Sequence, residues 1–88
     1  MAWTIEVSEA ARKQLRKLDK AIERKITDYL ANRIATLEDP RSEGHALVGG
    51  LKGHWRYRVG DYRIVCEIKD DVLVVLVLKI GHRREVYR

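Results

Sequence analysis

Residues 55–66 read WRYRVGDYRIVC, two runs of alternating apolar and polar side chains on either side of a Gly60-Asp61 pair. Tight β-hairpins prefer a two-residue turn that contains glycine, so the stretch predicts two antiparallel strands, His54 to Val59 and Tyr62 to Lys69. Because side chains alternate along a strand, the apolar residues of both strands share one face, which we expect to pack under helices.

The same register predicts that three arginines lie together on the opposite face. Arg56, Arg58 and Arg63 share that face, and Arg58 stands directly across from Arg63. Like charges directly opposite each other destabilise a sheet, and an anion bound between them would turn the repulsion into attraction. The alternative is an ordinary solvated face on which Glu67 neutralises one of the arginines.

The residues before this hairpin predict a short strand and two helices. Trp3 to Val7 alternates apolar and polar side chains, as in a strand. Ser8 and Asp19 can cap two helices whose apolar residues recur at helical spacing. Pro40 disfavours helical geometry in the residue before it, so we expect the second helix to end near Glu38.

A loop and one more strand complete the predicted fold. Arg41 to Gly53 carries four of the six glycines and predicts a loop, with a short extended piece at Ala46 to Val48. After an Asp70-Asp71 turn, Val72 to Ile80 is apolar on both faces, as in a strand at the centre of a sheet. The order β-α-α-β-β-β predicts one α+β domain over residues 1–88, an antiparallel-rich four-stranded sheet with a helical hairpin on one face.

The composition limits the classes of function. The chain has 88 residues and a net charge of +5, which is compatible with a polyanionic partner but does not require one. The single cysteine, Cys66, excludes an internal disulfide, and the scattered histidines predict neither a metal site nor a cofactor. We expect a cytoplasmic protein without membrane contact, because the N-terminus lacks a signal pattern and the longest apolar run is too short to span a bilayer.

The C-terminal residues favour a functional interpretation of the arginines. Residues 81–88, GHRREVYR, bring three more arginines, a histidine and a tyrosine directly after an apolar strand. Arginine forks bind phosphate bidentately, and an aromatic ring can stack on a base that is splayed out of its helix. The pattern is therefore typical of a site for single-stranded RNA.

Two motifs, WRYRVGDYR at residues 55–63 and IGHRREVY at residues 80–87, closely resemble the RelE family of toxins of bacterial toxin–antitoxin pairs. The resemblance covers nearly the whole chain, and it includes the Asp39-Pro40-Arg41 break and the loop at residues 47–51. It implies a RelE-like fold and a metal-independent endoribonuclease that cleaves mRNA in the ribosomal A site, by attack of a ribose 2′-hydroxyl on the adjacent phosphate. It also implies a RelB-like antitoxin as partner, with operator DNA contacted only through that antitoxin.

The resemblance also implies roles for particular residues. Arg56 and Arg58 match two basic residues, often lysines, beside the scissile phosphate, and Arg63 matches the arginine that holds it. Arg83 matches the arginine assigned to the transition state or leaving group, and Tyr87 matches the tyrosine that stacks on the cleaved nucleotide. Further basic side chains are expected to contact RNA or the ribosome: Arg84, Arg88, Lys13, Lys17 and Lys20.

Arginine at positions 56 and 58 leaves the proton acceptor of this chemistry open. A guanidinium stays charged, so both residues can stabilise a phosphorane but are poor proton acceptors. An imidazole can accept a proton near neutral pH, which makes His82 a candidate, although a surface histidine at a strand end is an equally good interpretation. The other candidates are a group of the ribosome, Glu67, Glu85 and Tyr87. His45 and His54, in or beside the glycine-rich loop, are interpreted as bystanders.

Two other functions stay open. A ParE-like toxin has the same scaffold but inhibits DNA gyrase by binding it, without nuclease activity. ParE relatives generally lack the full set of Arg56, Arg58, Arg83 and Tyr87, which argues against that function. An inactive module of the toxin fold, acting with its antitoxin on operator DNA, stays open because lysine is absent at positions 56 and 58.

Overall fold

A computed structural model describes residues 2–48 and 53–86. Strands and helices are numbered along the chain as follows: β1 Thr4–Val7, α1 Glu9–Arg16, α2 Lys20–Tyr29, β2 His45–Ala46, β3 Trp55–Val59, β4 Tyr62–Lys69 and β5 Val74–His82. One sheet contains all five strands in the order β1-β5-β4-β3-β2. β1 runs parallel to β5, and the other neighbouring strands are antiparallel. The predicted α+β class, with helices on one face of an antiparallel-rich sheet, is confirmed.

The two helices begin where the sequence predicts. The side chain of Ser8 accepts a hydrogen bond from the Ala11 N–H, and that of Asp19 accepts one from the Ala21 N–H. The second helix ends earlier than predicted: α2 passes into a single π-helical turn, Leu30–Ile34, and no further helical turn follows before Glu38. The backbone N–H of Trp3 donates a hydrogen bond to the carbonyl of Ala35, and its indole N–H donates one to the carbonyl of Glu38. Both carbonyls lie beyond the end of the π-helical turn.

Two predicted details of the sheet are wrong. The sheet has five strands rather than four, because the short strand β2 pairs with β3. β2 begins at His45, one residue before the predicted extended piece. The predicted Asp70-Asp71 turn is longer and runs to Leu73, so β5 begins at Val74 and not at Val72. Leu73 has a φ of 55°, and its carbonyl accepts a hydrogen bond from the Thr4 N–H at 3.0 Å, which ties the turn to β1.

The core lies between the two helices and the apolar face of the hairpin, as predicted. Tyr57 pairs with Ile64, Trp55 pairs with Cys66, and Tyr57, Ile64 and Cys66 are fully buried. The Tyr57 hydroxyl donates to the Pro40 carbonyl at 2.6 Å, which fixes the loop after α2 against the sheet. Burial raises the pKa of the Cys66 thiol to about 12, so this residue is a protonated, buried side chain rather than a nucleophile.

A β-bulge in β5 changes which of its residues face the core. Val65 pairs with Lys79 but Cys66 pairs with Val77, so Leu78 is an extra residue in the strand. Val77 and Ile80 therefore both face the helices, although they are three positions apart, and both are buried.

In the part of the chain that the structure describes, no helix is long and apolar enough to cross a membrane.

Candidate nucleic-acid interface

The hairpin register brings the three predicted arginines onto the face of the sheet that points away from the helices. Arg58 on β3 is the direct partner of Arg63 on β4, and Arg56 is the partner of Val65. We call this surface, formed by Arg56, Arg58 and Arg63, the arginine face. The Nη1 group of Arg63 donates to the carbonyls of Gly60 and Tyr62, at 3.0 and 3.1 Å, and is thereby held at the turn end of the hairpin. Up to three guanidinium groups can therefore meet one polyanion here.

Arg83 lies at the same end of the hairpin. Its backbone N–H donates to the Asp61 carbonyl at 2.8 Å, and its Nε lies 3.9 Å from Oδ1 of Asp61. The partner of Arg63 on β5 is Gly81, which has no side chain of its own. The structure thus brings together four of the predicted site arginines, those at positions 56, 58, 63 and 83.

The chain after β5 is held in place by one apolar residue. The N–H groups of Glu85 and Val86 donate to the His82 carbonyl, which closes a turn over residues 83–86. Val86 is almost completely buried, and a Cβ added to Gly81 would lie only 3.4 Å from the Cβ of Val86. The turn therefore packs on β5 through Val86, while Arg84 and Glu85 stay exposed. Tyr87 and Arg88 lie outside the described residues, so their predicted roles stay predictions.

His82 lies on the other side of the sheet from the arginine face. It is the partner of Tyr62, which in turn pairs with Val59 on the face that packs under the helices. The His82 and Tyr62 rings meet edge to face with their centroids 5.7 Å apart. Nδ1 of His82 accepts a hydrogen bond from the Arg84 N–H at 3.3 Å. The predicted part of His82 in proton transfer is thus not supported by its position.

Two residues outside the predicted site lie in register with the arginine face, and one of them, His45, was interpreted from the sequence as a bystander. His45 on β2 is the partner of Arg56, and Lys79 on β5 is the partner of Val65. His45, Arg56, Val65 and Lys79 therefore form one row across four strands. Lys79 could not be found by simple alternation, which would place it on the core face with Val77, because the bulge reverses the pattern. His45 could not be found because the two-residue strand β2 has no periodicity of its own.

The position of His45 depends on a close approach of its loop to β3. Gly44 has a φ of +80°, and a Cβ there would lie 2.3 Å from the Arg56 carbonyl oxygen. The Trp55 indole donates to the Glu43 carbonyl at 2.7 Å, and the Leu47 N–H donates to the His54 carbonyl at 3.0 Å. These contacts fix β2 in a single register on the edge of β3.

A groove of about 280 Å³ opens beside His45 at this edge, and its lining includes Tyr29, Glu43, Gly44, His45, Arg56 and Arg58. The Glu43 carboxylate accepts a hydrogen bond from the Tyr29 hydroxyl and pairs with Arg33. Burial and the neighbouring Glu43 carboxylate raise the pKa of Tyr29 to about 12, so Tyr29 stays a neutral donor. The groove thus combines two guanidinium groups, an imidazole and a carboxylate that is already bound.

The predicted lysine contacts are not part of this surface. Lys13 lies on α1, Lys17 caps its C-terminal end and Lys20 begins α2, so all three belong to the helical layer on the other side of the sheet. Nζ of Lys13 lies 4.0 Å from Oε1 of Glu9, and all three lysines are exposed.

Among the described residues, no group of three histidine, cysteine or carboxylate side chains could hold a metal ion.

Comparison with known proteins shows which proteins this chain resembles in sequence and fold. A family model described as "ParE toxin of type II toxin-antitoxin system, parDE" matches residues 5–87. Toxin RelG of Mycobacterium tuberculosis is 28% identical over 88 residues, covering 100% of this chain and 99% of RelG. The mRNA interferase toxin RelE of Escherichia coli K12 is 32% identical over 90 residues, covering 99% of this chain and 92% of RelE. A chain of the M. tuberculosis RelBE2 toxin–antitoxin complex superposes with a TM-score of 0.86 at 26% identity, covering 97% of this chain and 95% of that one.

Proposed function

This chain belongs to the RelE/ParE superfamily of toxins from type II toxin–antitoxin systems, and from that membership we propose that it is a metal-independent endoribonuclease that cleaves mRNA in the ribosomal A site. The observation that carries the proposal is the direct pairing of Arg58 with Arg63 on a sheet face that the helices do not cover. Arg56 lies two residues from Arg58 on the same strand, and Arg83 lies against the adjoining turn. Such a cluster suits a group that gains negative charge during the reaction.

In the proposed cleavage step, the arginines have different roles. Arg58 and Arg63 bind the non-bridging oxygens of the scissile phosphate, and their fixed charges stabilise the phosphorane that forms when the 2′-oxygen attacks. Arg83 offsets the charge that develops on the departing 5′-oxygen. Arg56 holds the neighbouring part of the RNA backbone, and Tyr87 stacks on a base. The products are a 2′,3′-cyclic phosphate and a free 5′-hydroxyl.

Several partners follow from this proposal. The similar M. tuberculosis chain comes from the RelBE2 toxin–antitoxin complex, which supports a RelB-like antitoxin as a partner. Masking of the arginine face by this antitoxin is part of the proposal. Operator DNA is contacted only through that antitoxin. The exposed lysines on the helices, Lys13, Lys17 and Lys20, are suited to contact with ribosomal RNA, as are Arg84 and Arg88 in the C-terminal residues. A ribosomal substrate places the active protein in the cytoplasm.

Gyrase inhibition is the second candidate function, because the matching family model is described as a ParE toxin. A protein that acts only by binding gyrase has no need for like charges paired across two strands, which lowers the stability of the sheet. The relative named as an mRNA interferase is matched over 99% of this chain, which favours the nuclease. We therefore place RNA cleavage first.

Primer extension on a defined message tests the proposal. The purified protein is added to programmed ribosomes and, in parallel, to the same RNA without ribosomes. We expect cuts only on the ribosome, at fixed positions within the A-site codon. If a preparation that arrests growth gives no cuts in either reaction, the nuclease proposal is wrong, and inhibition of DNA supercoiling by gyrase is the next measurement.

A further inference from the structure

His45 is placed beside the arginine face by the backbone. It is the direct partner of Arg56, and the Cβ atoms of directly paired antiparallel residues lie about 4.5–5.5 Å apart on the same face. The His45 side chain is exposed, so a substrate can reach it. Neighbouring strands lie about 4.8 Å apart, and β2 adjoins β3, so His45 lies one strand away from Arg58 and two strands away from Arg63.

The other protein groups that could accept a proton are less well placed. His82 faces the helical side of the sheet, against Tyr62. Glu67 shares the face of Arg63 but is four residues further along β4, which corresponds to about 13 Å. Glu85 lies beyond Arg83 in an exposed turn. His45 is the one of these side chains that is both on the arginine face and next to one of its guanidinium groups.

The groups around His45 are suited to binding a phosphate beside the imidazole. The groove it lines brings Arg56 and Arg58 from β3, Tyr29 from α2 and Glu43 from its own loop. The Glu43 carboxylate is bound by Tyr29 and Arg33, and Tyr29 keeps its proton. His54, which precedes β3, is half buried with no hydrogen-bond partner for its Nδ1 in the described structure.

We infer that His45 is the proton acceptor for the attacking 2′-hydroxyl, an inference that rests on the proposed nuclease function. The 2′-oxygen gives its proton to a ring nitrogen of His45 and forms a bond to phosphorus. The bond between phosphorus and the 5′-oxygen then breaks, and the 5′-oxygen takes a proton from water while Arg83 offsets its charge. His45 returns its proton to the hydroxide that remains, so protons and charges balance.

Single-turnover cleavage on programmed ribosomes tests this role with the variants His45→Gln and His82→Gln. Removing a general base typically slows a reaction about 10²–10⁴-fold, and we expect a loss of that size for His45→Gln and little change for His82→Gln. Thermal melting shows whether each variant is folded. Free imidazole is expected to restore part of the rate of His45→Ala, which a purely structural role for His45 would not allow.

A message with sulfur in place of the bridging 5′-oxygen distinguishes loss of the general base from loss of leaving-group stabilisation, because a thiolate leaves without a proton. The loss in His45→Gln is expected to be the same on this substrate, whereas the loss in Arg83→Ala is expected to shrink. The inference is wrong if His45→Gln cleaves at the wild-type rate, or if its defect disappears with the sulfur substrate. If the wild type itself does not cleave on ribosomes, the proposed nuclease function fails, and the role of His45 fails with it.

Discussion

Arg58 and Arg63 are direct partners on neighbouring antiparallel strands, on the face of the sheet that the helices leave uncovered. Like charges in such a pair destabilise a sheet, by an amount of the order of 0.2–1 kcal/mol. A sequence selected for stability alone has no reason to keep this pair. Binding of a phosphate between the two side chains supplies that reason, because one anion attracts both guanidinium groups.

Removing one charge of the pair is expected to stabilise the fold. Arg58→Gln takes away the repulsion from Arg63, so the free energy of unfolding is expected to rise by about 0.2–1 kcal/mol while cleavage falls. Urea denaturation and single-turnover cleavage measure the two effects. The matched control is Arg41→Gln, which removes an exposed arginine that forms two hydrogen bonds to Asp70 and is expected to lower stability instead. A destabilised Arg58→Gln would contradict this account of the pair.

A side chain at position 44 is expected to detach β2 from β3. In Gly44→Ala the new Cβ would meet the Arg56 carbonyl at 2.3 Å, at a φ of +80° that alanine rarely adopts. A loss of more than about 1 kcal/mol in stability is expected, together with slower cleavage, because His45 moves away from Arg56. Gly53→Ala is the control, since that glycine also has a positive φ but a Cβ there meets no atom within 4 Å. Equal cleavage by both variants would show that the register of β2 is not needed.

The Tyr57 hydroxyl is expected to matter for stability and not for cleavage. Tyr57→Phe leaves the Pro40 carbonyl without the 2.6 Å hydrogen bond that it accepts in a buried position. Leaving a buried group without its partner costs about 1–3 kcal/mol, which urea denaturation can measure. Because Tyr57 faces the core, the cleavage rate of the folded variant is expected to match the wild type. A large rate defect in the folded variant would mean that the core face is part of the site.

The Arg41–Asp70 pair is expected to give a stability difference that depends on pH. Hydrogen bonds from Arg41 hold the pKa of Asp70 below its usual range. A carboxylate with a lowered pKa stabilises the folded state at neutral pH, and this contribution disappears as the pH falls through that pKa. Asp70→Asn is therefore expected to melt at a slightly lower temperature than the wild type at pH 7 and at the same temperature in strong acid. A difference that grows towards low pH would contradict the assignment.

The sequence predicted the parts of the site that depend on local pattern. A two-residue turn and strict alternation determine the faces of β3 and β4, so the arginine face and the buried positions of Tyr57 and Ile64 follow from residues 55–66 alone. The bulge at Leu78 was not predictable in this way, since residues 74–78 of β5 are all apolar and an extra residue there leaves the pattern unchanged. For that reason Lys79 was not recognised as a residue of the arginine face.

The place of His45 depends on contacts that are distant in the sequence. β2 is two residues long and is held by the Trp55 indole and by the close fit of Gly44 against β3. Neither contact leaves a periodic signal near position 45, where the glycines indicate only a loop. His82 was the more conspicuous histidine because it adjoins Arg83, but it pairs with Tyr62 and lies on the face that packs under the helices.

The central claim is that the arginine face cleaves RNA, and the most direct measurement is the single-turnover cleavage rate of Arg63→Ala on programmed ribosomes, beside Arg41→Ala as a control. Removing one group that stabilises transition-state charge commonly costs about 10²–10³-fold in rate, and we expect at least that loss for Arg63→Ala, with folding and antitoxin binding retained. Arg41→Ala is expected to cleave at the wild-type rate. Full cleavage by a folded Arg63→Ala variant would contradict the assignment of the site.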